Sequence, residues 1–196
     1  MKNAIRIKDL KKSYGEQTVL DGFSCCFDDS TALMGASGKG KSTLLRLILG
    51  LEKAEEGQIT TDVPPRFAVV FQEDRLFDSF DAIENVIVGF KGKIPREQAT
   101  ERAAALLSRL GIDSSEHRKP VRDHSGGMRR RVAIARALVS EFNVLVLDEP
   151  YKGLDEETRA ICAETIAEHT RDTLVILVTH DRDEATLTGI GRIVTL

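Results

Sequence analysis

The run Gly35-Ala36-Ser37-Gly38-Lys39-Gly40-Lys41-Ser42-Thr43 lies between the apolar stretch Ala32-Leu33-Met34 and Leu44-Leu45-Arg46-Leu47-Ile48-Leu49. Working outward from it, the order is strand, glycine loop, helix. The pattern G-x-x-x-x-G-K-S is a P-loop, and its chemistry explains its residue types. Glycines let backbone N–H groups turn inward around phosphate oxygens. The helix that starts here adds the positive end of its dipole. Lys41 supplies a point charge to β- and γ-phosphates, and Ser42 offers a hydroxyl to Mg²⁺. The full pattern in its strand–helix context argues against a plain glycine turn.

The 196 residues suffice for one sizeable core with a small inserted subdomain. A hydrophobic content of 41% beside 30% charged residues is that of a soluble globular protein. The net charge of −3 gives no support to nucleic-acid binding. No run of about 18 apolar residues occurs, so no transmembrane helix is expected. Met1-Lys2-Asn3-Ala4-Ile5-Arg6 alternates and lacks the apolar stretch of a signal peptide, so a cytosolic chain is expected. Cys25, Cys26 and Cys162 are odd in number and show no C-x-x-C spacing, so ordinary thiols are expected.

Ala4 to Lys8 alternates as a strand, Ser13 to Glu16 reads as a turn, and Val19-Leu20 and Phe23 to Phe27 read as two further strand pieces. An antiparallel meander thus feeds a parallel α/β core. Gly50 closes the P-loop helix. Gln58 to Thr61 and Phe67 to Phe71 are short strands, and Gln72 follows the second. The stretch from Asp74 to Arg122 carries no strand signal but has helices at Ile83–Val88 and Pro95–Leu110, so it is the expected helical subdomain. Ser125-Gly126-Gly127 opens a helix with Arg129, Arg130, Arg131 and Arg136, read as a solvated face partly touching partner or core. Val144 to Pro150 and Leu174 to His180 are apolar runs ending in polar residues, with a helix at Asp155–Thr170 between them. Asp181 to Leu187 is a short helix and Gly191 to Leu196 a last strand.

Strands alternating with helices imply a mostly parallel sheet, whose ligands collect at the carboxyl ends of strands. The P-loop, Gln72, Asp148-Glu149 and His180 all fall at such ends, and one site built from them is the economical reading. Leu147-Asp148-Glu149 after an apolar run fits a Walker B strand. Asp148 would hold Mg²⁺ through water. Glu149 is then placed to deprotonate the attacking water. The imidazole of His180 suits a γ-phosphate oxygen. The Gln72 amide suits both Mg²⁺ and the water. Alone, each of these last two residues would pass for an ordinary surface side chain.

The order Tyr14, P-loop, Gln72, Ser125-Gly126-Gly127, Asp148-Glu149-Pro150, Gly153-Leu154-Asp155, His180 resembles an ABC-type ATPase, the nucleotide-binding subunit of ABC transporters. The resemblance covers nearly the whole chain, 1–196, as a single ATP-binding domain with the helical subdomain, about 74–122, inside it. The fold it implies is α/β: a P-loop NTPase core, an N-terminal antiparallel β subdomain and a small inserted helical subdomain. Position by position, it implies that Tyr14 stacks on adenine and Gln72 senses the γ-phosphate and faces the membrane partner. It also implies that Ser125, Gly126 and Gly127 bind the γ-phosphate of ATP held by the opposite protomer, that Asp155 lies at the dimer interface, and that His180 is the switch histidine. A serine and glycine N–H groups before a helix are an anion site by the same logic as the P-loop. A second phosphate site on one chain makes sense if two chains clamp two ATPs. The family's signature commonly begins with leucine and ends with glutamine, where this chain has His124 and Met128.

The resemblance therefore implies an Mg²⁺-dependent ATPase, a homodimer closed by ATP, permease subunits in the membrane, and a solute-binding protein reached through them. The ATPase would sit peripherally on the cytoplasmic face. Gly35-Ala36-Ser37-Gly38 and Val70-Phe71-Gln72-Glu73-Asp74-Arg75-Leu76 resemble bacterial importer subunits of the nitrate, sulfonate and taurine type. The alternative is a soluble ABC-type ATPase of translation or DNA repair. Such proteins usually carry two ATPase domains or a long coiled coil, whereas this chain has one P-loop and no long heptad region.

Overall fold

The computed structural model describes residues 3–36, 38–92 and 94–196. The chain divides into two units, the first Met1–Phe67, Phe142–Asp148 and Asp172–Leu196, the second Ala68–Glu141 and Glu149–Arg171.

In the first unit β1 (Ile5–Tyr14) is central to an antiparallel sheet of order β2-β1-β4, with β2 at Gln17–Phe27 and β4 at Glu56–Thr61. The two strand pieces expected at 19–27 are one strand. Its pairing with β1 shifts register between Ile7 and Ser13, and Gly22 takes a φ of 67°. β1 also runs on through Ser13 and Tyr14, which the sequence places in a turn; the turn itself begins at Gly15.

β3 (Thr31–Met34), β5 (Phe67–Val70), β6 (Val144–Asp148), β7 (Leu174–Val178) and β8 (Arg192–Thr195) form a second sheet of order β5-β6-β7-β3-β8. Every residue of β3, β6 and β7 is buried, as expected for parallel strands covered on both faces. The pairing is parallel and in register: Asp148 lies opposite Val178, and Val178 opposite Leu33. That row ends β6 and β7 and lies one residue before the end of β3, so the residues after it leave from one edge. α1 (Lys41–Ile48) buries Thr43, Leu44, Leu45, Leu47 and Ile48 and ends before Gly50, at a φ of 69°. α6 (Arg182–Leu187) follows β7.

The second unit is largely helical: α2 (Ala82–Ile87), α3 (Arg96–Arg109), α4 (Gly126–Leu138) and α5 (Glu156–His169). Residues 74–122 hold α2, α3 and two 3₁₀ turns, Ser114–Glu116 and Val121–Asp123, with no strand among those described. α3 buries Ala99, Ala103, Leu106 and Leu107, the spacing of one helical face. α2 has a capping box. The Asp81 carboxylate accepts the Glu84 N–H at 2.7 Å, and the Glu84 carboxylate accepts the Asp81 N–H at 3.0 Å. Asp81→Ala is expected to cost about 1–2 kcal/mol, the usual range for a lost N-cap. A lowered urea midpoint for helix loss checks this; an unchanged midpoint contradicts it.

Candidate functional site

In the first unit, β3 delivers the P-loop. Gly35, Gly38 and Gly40 have φ values of 149°, 79° and 92°, a backbone side chains rarely adopt. At Gly35 a Cβ would lie 2.6 Å from the Leu196 carbonyl oxygen, and at Gly40 one would lie 2.7 Å from Val19 Cγ1. Gly35 and Gly40 are thus demanded by the space around them as well as by their backbone angles, and Gly38 by its backbone angle alone. Gly40 caps α1 without a side-chain bond, and no acidic residue lies in the first turn. The N–H groups of that turn are therefore unmasked for an anion. The Lys41 ammonium donates to the carbonyl oxygens of Gly35 at 2.7 Å and Ala36 at 3.0 Å, so the cation lies against the loop it serves. Ala36, Gly38, Lys39 and Ser42 are exposed and Thr43 is buried. Ser37 lies outside the described residues.

Asp148 is 8% exposed at the end of β6. His180 is exposed, two residues beyond the end of β7. Its turn is fixed by buried Thr179, whose hydroxyl accepts the Asp181 N–H at 3.0 Å and donates to the Glu184 carboxylate. With β7 between β6 and β3 and strands about 4.8 Å apart, the chain ends leading to Asp148, His180 and the P-loop emerge along one sheet edge. Tyr14 closes β1, 45% exposed, its hydroxyl bonded to the Glu52 carboxylate and Lys12 Nζ 5.2 Å from its ring centre. The ring therefore presents a face to solvent from an anchored position.

In the second unit, Gln72 and Glu149 meet: Gln72 Nε2 donates to Glu149 Oε2 at 3.3 Å. Lys152 Nζ lies 3.4 Å from the same oxygen, and its N–H reaches the Glu149 carbonyl at 3.3 Å. The sequence reading missed Lys152; its i+3 spacing from Glu149 was the available signal. Glu149 itself has a φ of 49°, left-handed for a residue with a side chain.

Ser125 caps α4, its Oγ accepting the Met128 N–H at 3.3 Å, and again no acidic residue lies in the first turn. α2, α3, α5 and α6 all carry acidic residues there. Among the described residues, the two helices expected to meet phosphate, α1 and α4, are the ones that start without one. A Cβ on Gly127 would press Leu154 at 3.3 Å, while one on Gly126 would meet open space. Packing alone thus does not explain Gly126. Asp155 caps α5 through the Thr158 N–H at 2.8 Å and hydroxyl at 2.9 Å, bonds that hold its carboxyl below the usual range. His124, at the leucine position of the signature, is buried; its Nε2 meets the Glu116 carbonyl at 3.1 Å and its Nδ1 has no partner.

The arginines of α4 are not a solvated face. Arg130 is 6% exposed, and Arg131 holds the end of α3 through the Leu110 and Gly111 carbonyls at 3.2 and 2.7 Å. Burial pushes the Asp74 carboxyl up, opposed by Arg130, Arg129 and Arg136. The three thiols are ordinary: burial pushes Cys162 up to about 12 and raises Cys25 as well.

In the first unit the Ser42 hydroxyl and the Asp148 carboxylate are hard oxygen donors of the kind Mg²⁺ takes. Among the described residues no group of three or more His, Cys, Asp or Glu is gathered to hold an ion.

The family model described as ABC transporter matches residues 22–152. The aliphatic sulfonates import ATP-binding protein SsuB of Corynebacterium glutamicum is 40% identical over 190 residues, covering 94% of this chain and 77% of that protein. The spermidine/putrescine import ATP-binding protein PotA of Roseobacter denitrificans is 40% identical over 209 residues, covering 99% of this chain and 57% of its own length. The dimeric structure of MJ0796, a bacterial ABC transporter cassette, superposes with a TM-score of 0.86 at 28% identity, covering 98% of this chain and 94% of that one. A second dimeric structure of that cassette, in a post-hydrolysis state with ADP and Pi, gives 0.86 at 27% identity and the same coverage.

Proposed function

This chain belongs to the ABC transporter family, and from that premise we propose that it is the ATP-hydrolysing subunit of an importer. It converts ATP to ADP and phosphate and passes the resulting closure and opening to permease subunits. The observation that carries the reading is the register row Asp148–Val178–Leu33, which brings P-loop, carboxylate and His180 to one sheet edge.

The P-loop N–H groups and Lys41 bind the β- and γ-phosphates. Tyr14 offers its exposed face to adenine. Ser42, Asp148 and Gln72 would hold Mg²⁺, which supplies charge neutralisation on the phosphate oxygens when bound. Glu149 takes the proton of the attacking water, and His180 holds a γ-phosphate oxygen. Two copies close around two ATPs, each γ-phosphate meeting Ser125, Gly126 and Gly127 of the other copy, with Asp155 at the interface. The whole chain acts as one ATP-binding domain, and residues 74–122, with Gln72, face the permease on the cytoplasmic side. No helix among the described residues is long and apolar enough to cross a membrane, so this attachment rests on the partner. The cargo is an anion of the sulfonate, taurine or nitrate class, in line with the aliphatic sulfonate relatives; a solute-binding protein reaches the assembly through the permease.

The test is capture from native membranes in mild detergent with ATP, using a tagged Glu149→Gln chain. A multi-span membrane protein is expected, together with an uptake defect for such anions in a deletion strain. Ribosomes or DNA-repair proteins in its place would establish a soluble ABC ATPase and overturn the transport reading.

A further inference from the structure

We propose that Arg130 is a positioning residue for Gln72, through which the Ser-Gly-Gly loop acts on Glu149 of the same chain. The inference rests on the function proposed above. Arg130 stands one helical turn after Gly126 on α4 and is buried. Its Nη1 donates to the Phe71 carbonyl at 2.6 Å and its Nη2 to the Gln72 carbonyl at 2.5 Å, while Nε lies 3.3 Å from Asp74 Oδ1.

Those two carbonyls belong to the peptide planes on either side of the Gln72 Cα. A peptide plane is rigid, so fixing both planes fixes the φ and ψ of Gln72. A planar guanidinium fork does this from one side chain in a fixed geometry, whereas the rotatable donors of an ammonium on a flexible stem fix no plane. Six residues further along, Arg136 donates to the Asp74 carbonyl at 3.0 Å and the Arg75 carbonyl at 2.9 Å. Residues 71–75 thus ride on α4. At the far end the Gln72 amide donates to Glu149 Oε2 at 3.3 Å.

The links run Ser125, first turn of α4, Arg130, Gln72, Glu149, all inside the second unit. A single helical turn moves as one piece. A phosphate that draws in the Ser-Gly-Gly loop therefore shifts the Arg130 fork, both peptide planes, and with them the amide that holds the base. Because that phosphate belongs to the opposite protomer's ATP, filling one site sets the base of the other. Such coupling is a differential-binding effect between two arrangements of the same residues.

The experiment compares the full chain with Arg130→Lys, Gln72→Ala, their double variant and Glu149→Gln. Arg130→Lys keeps a cation beside Asp74 and gives up the fork; Arg130→Gln, a neutral donor, serves if the lysine chain folds poorly. Hydrolysis rates against ATP concentration, binding of a fluorescent ATP analogue, and thermal melting are measured. Arg130→Lys is expected to lower kcat about tenfold, as small misplacements of reacting groups do. It should also flatten the Hill slope toward one, leave nucleotide affinity unchanged, and lower the melting temperature by only a few degrees, the cost of the buried carbonyl bonds it gives up. Added to Gln72→Ala it should change kcat less than about twofold, because it acts through Gln72. A wild-type kcat and Hill slope in Arg130→Lys, or a loss that multiplies in the Gln72→Ala background, overturns the proposal. If Glu149→Gln itself turns over normally, the assignment of the base fails instead.

Discussion

Glu149→Gln is expected to keep ATP binding and to cut turnover by about 10²–10⁴-fold, the range supplied by a positioned general base. Glutamine matches glutamate in shape and retains an oxygen that can accept from Gln72 and Lys152, so the local contacts survive. What it lacks is a basic oxygen. The strain of a left-handed backbone is the same for both residues, so folding offers no competing explanation. Phosphate release and equilibrium binding of a fluorescent nucleotide separate the two effects. Fast steady-state hydrolysis by this variant would falsify the role of Glu149 as base.

Lys41→Ala is expected to weaken ATP binding about 10–100-fold. A hydrogen bond to a charged group contributes about 1.5–3 kcal/mol, and about 1.4 kcal/mol is tenfold in affinity. Lys41 already points its ammonium at the loop, donating to the Gly35 and Ala36 carbonyls. The substitution leaves the loop's glycines, with their positive φ values, untouched, so the loop keeps its course and loses its cation. Nucleotide titration beside a melting curve reads this directly. Unchanged affinity would contradict the P-loop assignment.

The strand–loop–helix at 31–48 was legible because hydrophobic runs and glycine spacing are local properties. The ends of β6 and β7 were legible for the same reason: an apolar run that stops at Asp148 or His180 marks both the strand and its chemistry. The course of 13–27 was less so. A bulged strand with a left-handed glycine and a turn both look like interrupted alternation, and only cross-strand pairing distinguishes them. The role of the α4 arginines was illegible. Arg130 and Arg136 meet backbone carbonyls some 60 residues away and Arg131 meets ones some 20 residues away, and a carbonyl carries no sequence signature. Asp74 gave no clue either, since an isolated carboxylate in a polar stretch does not announce that it is half-buried between guanidinium groups.

The backbone of Glu149, turned to a φ of 49°, has a consequence for anyone improving the chain by selection. A left-handed residue with a Cβ costs about 1–2 kcal/mol that glycine would not. A library screened for survival on heating would therefore favour Glu149→Gly at this position. The winners would melt later and lose most of their turnover, so a thermostability campaign on this protein has to score turnover at every round.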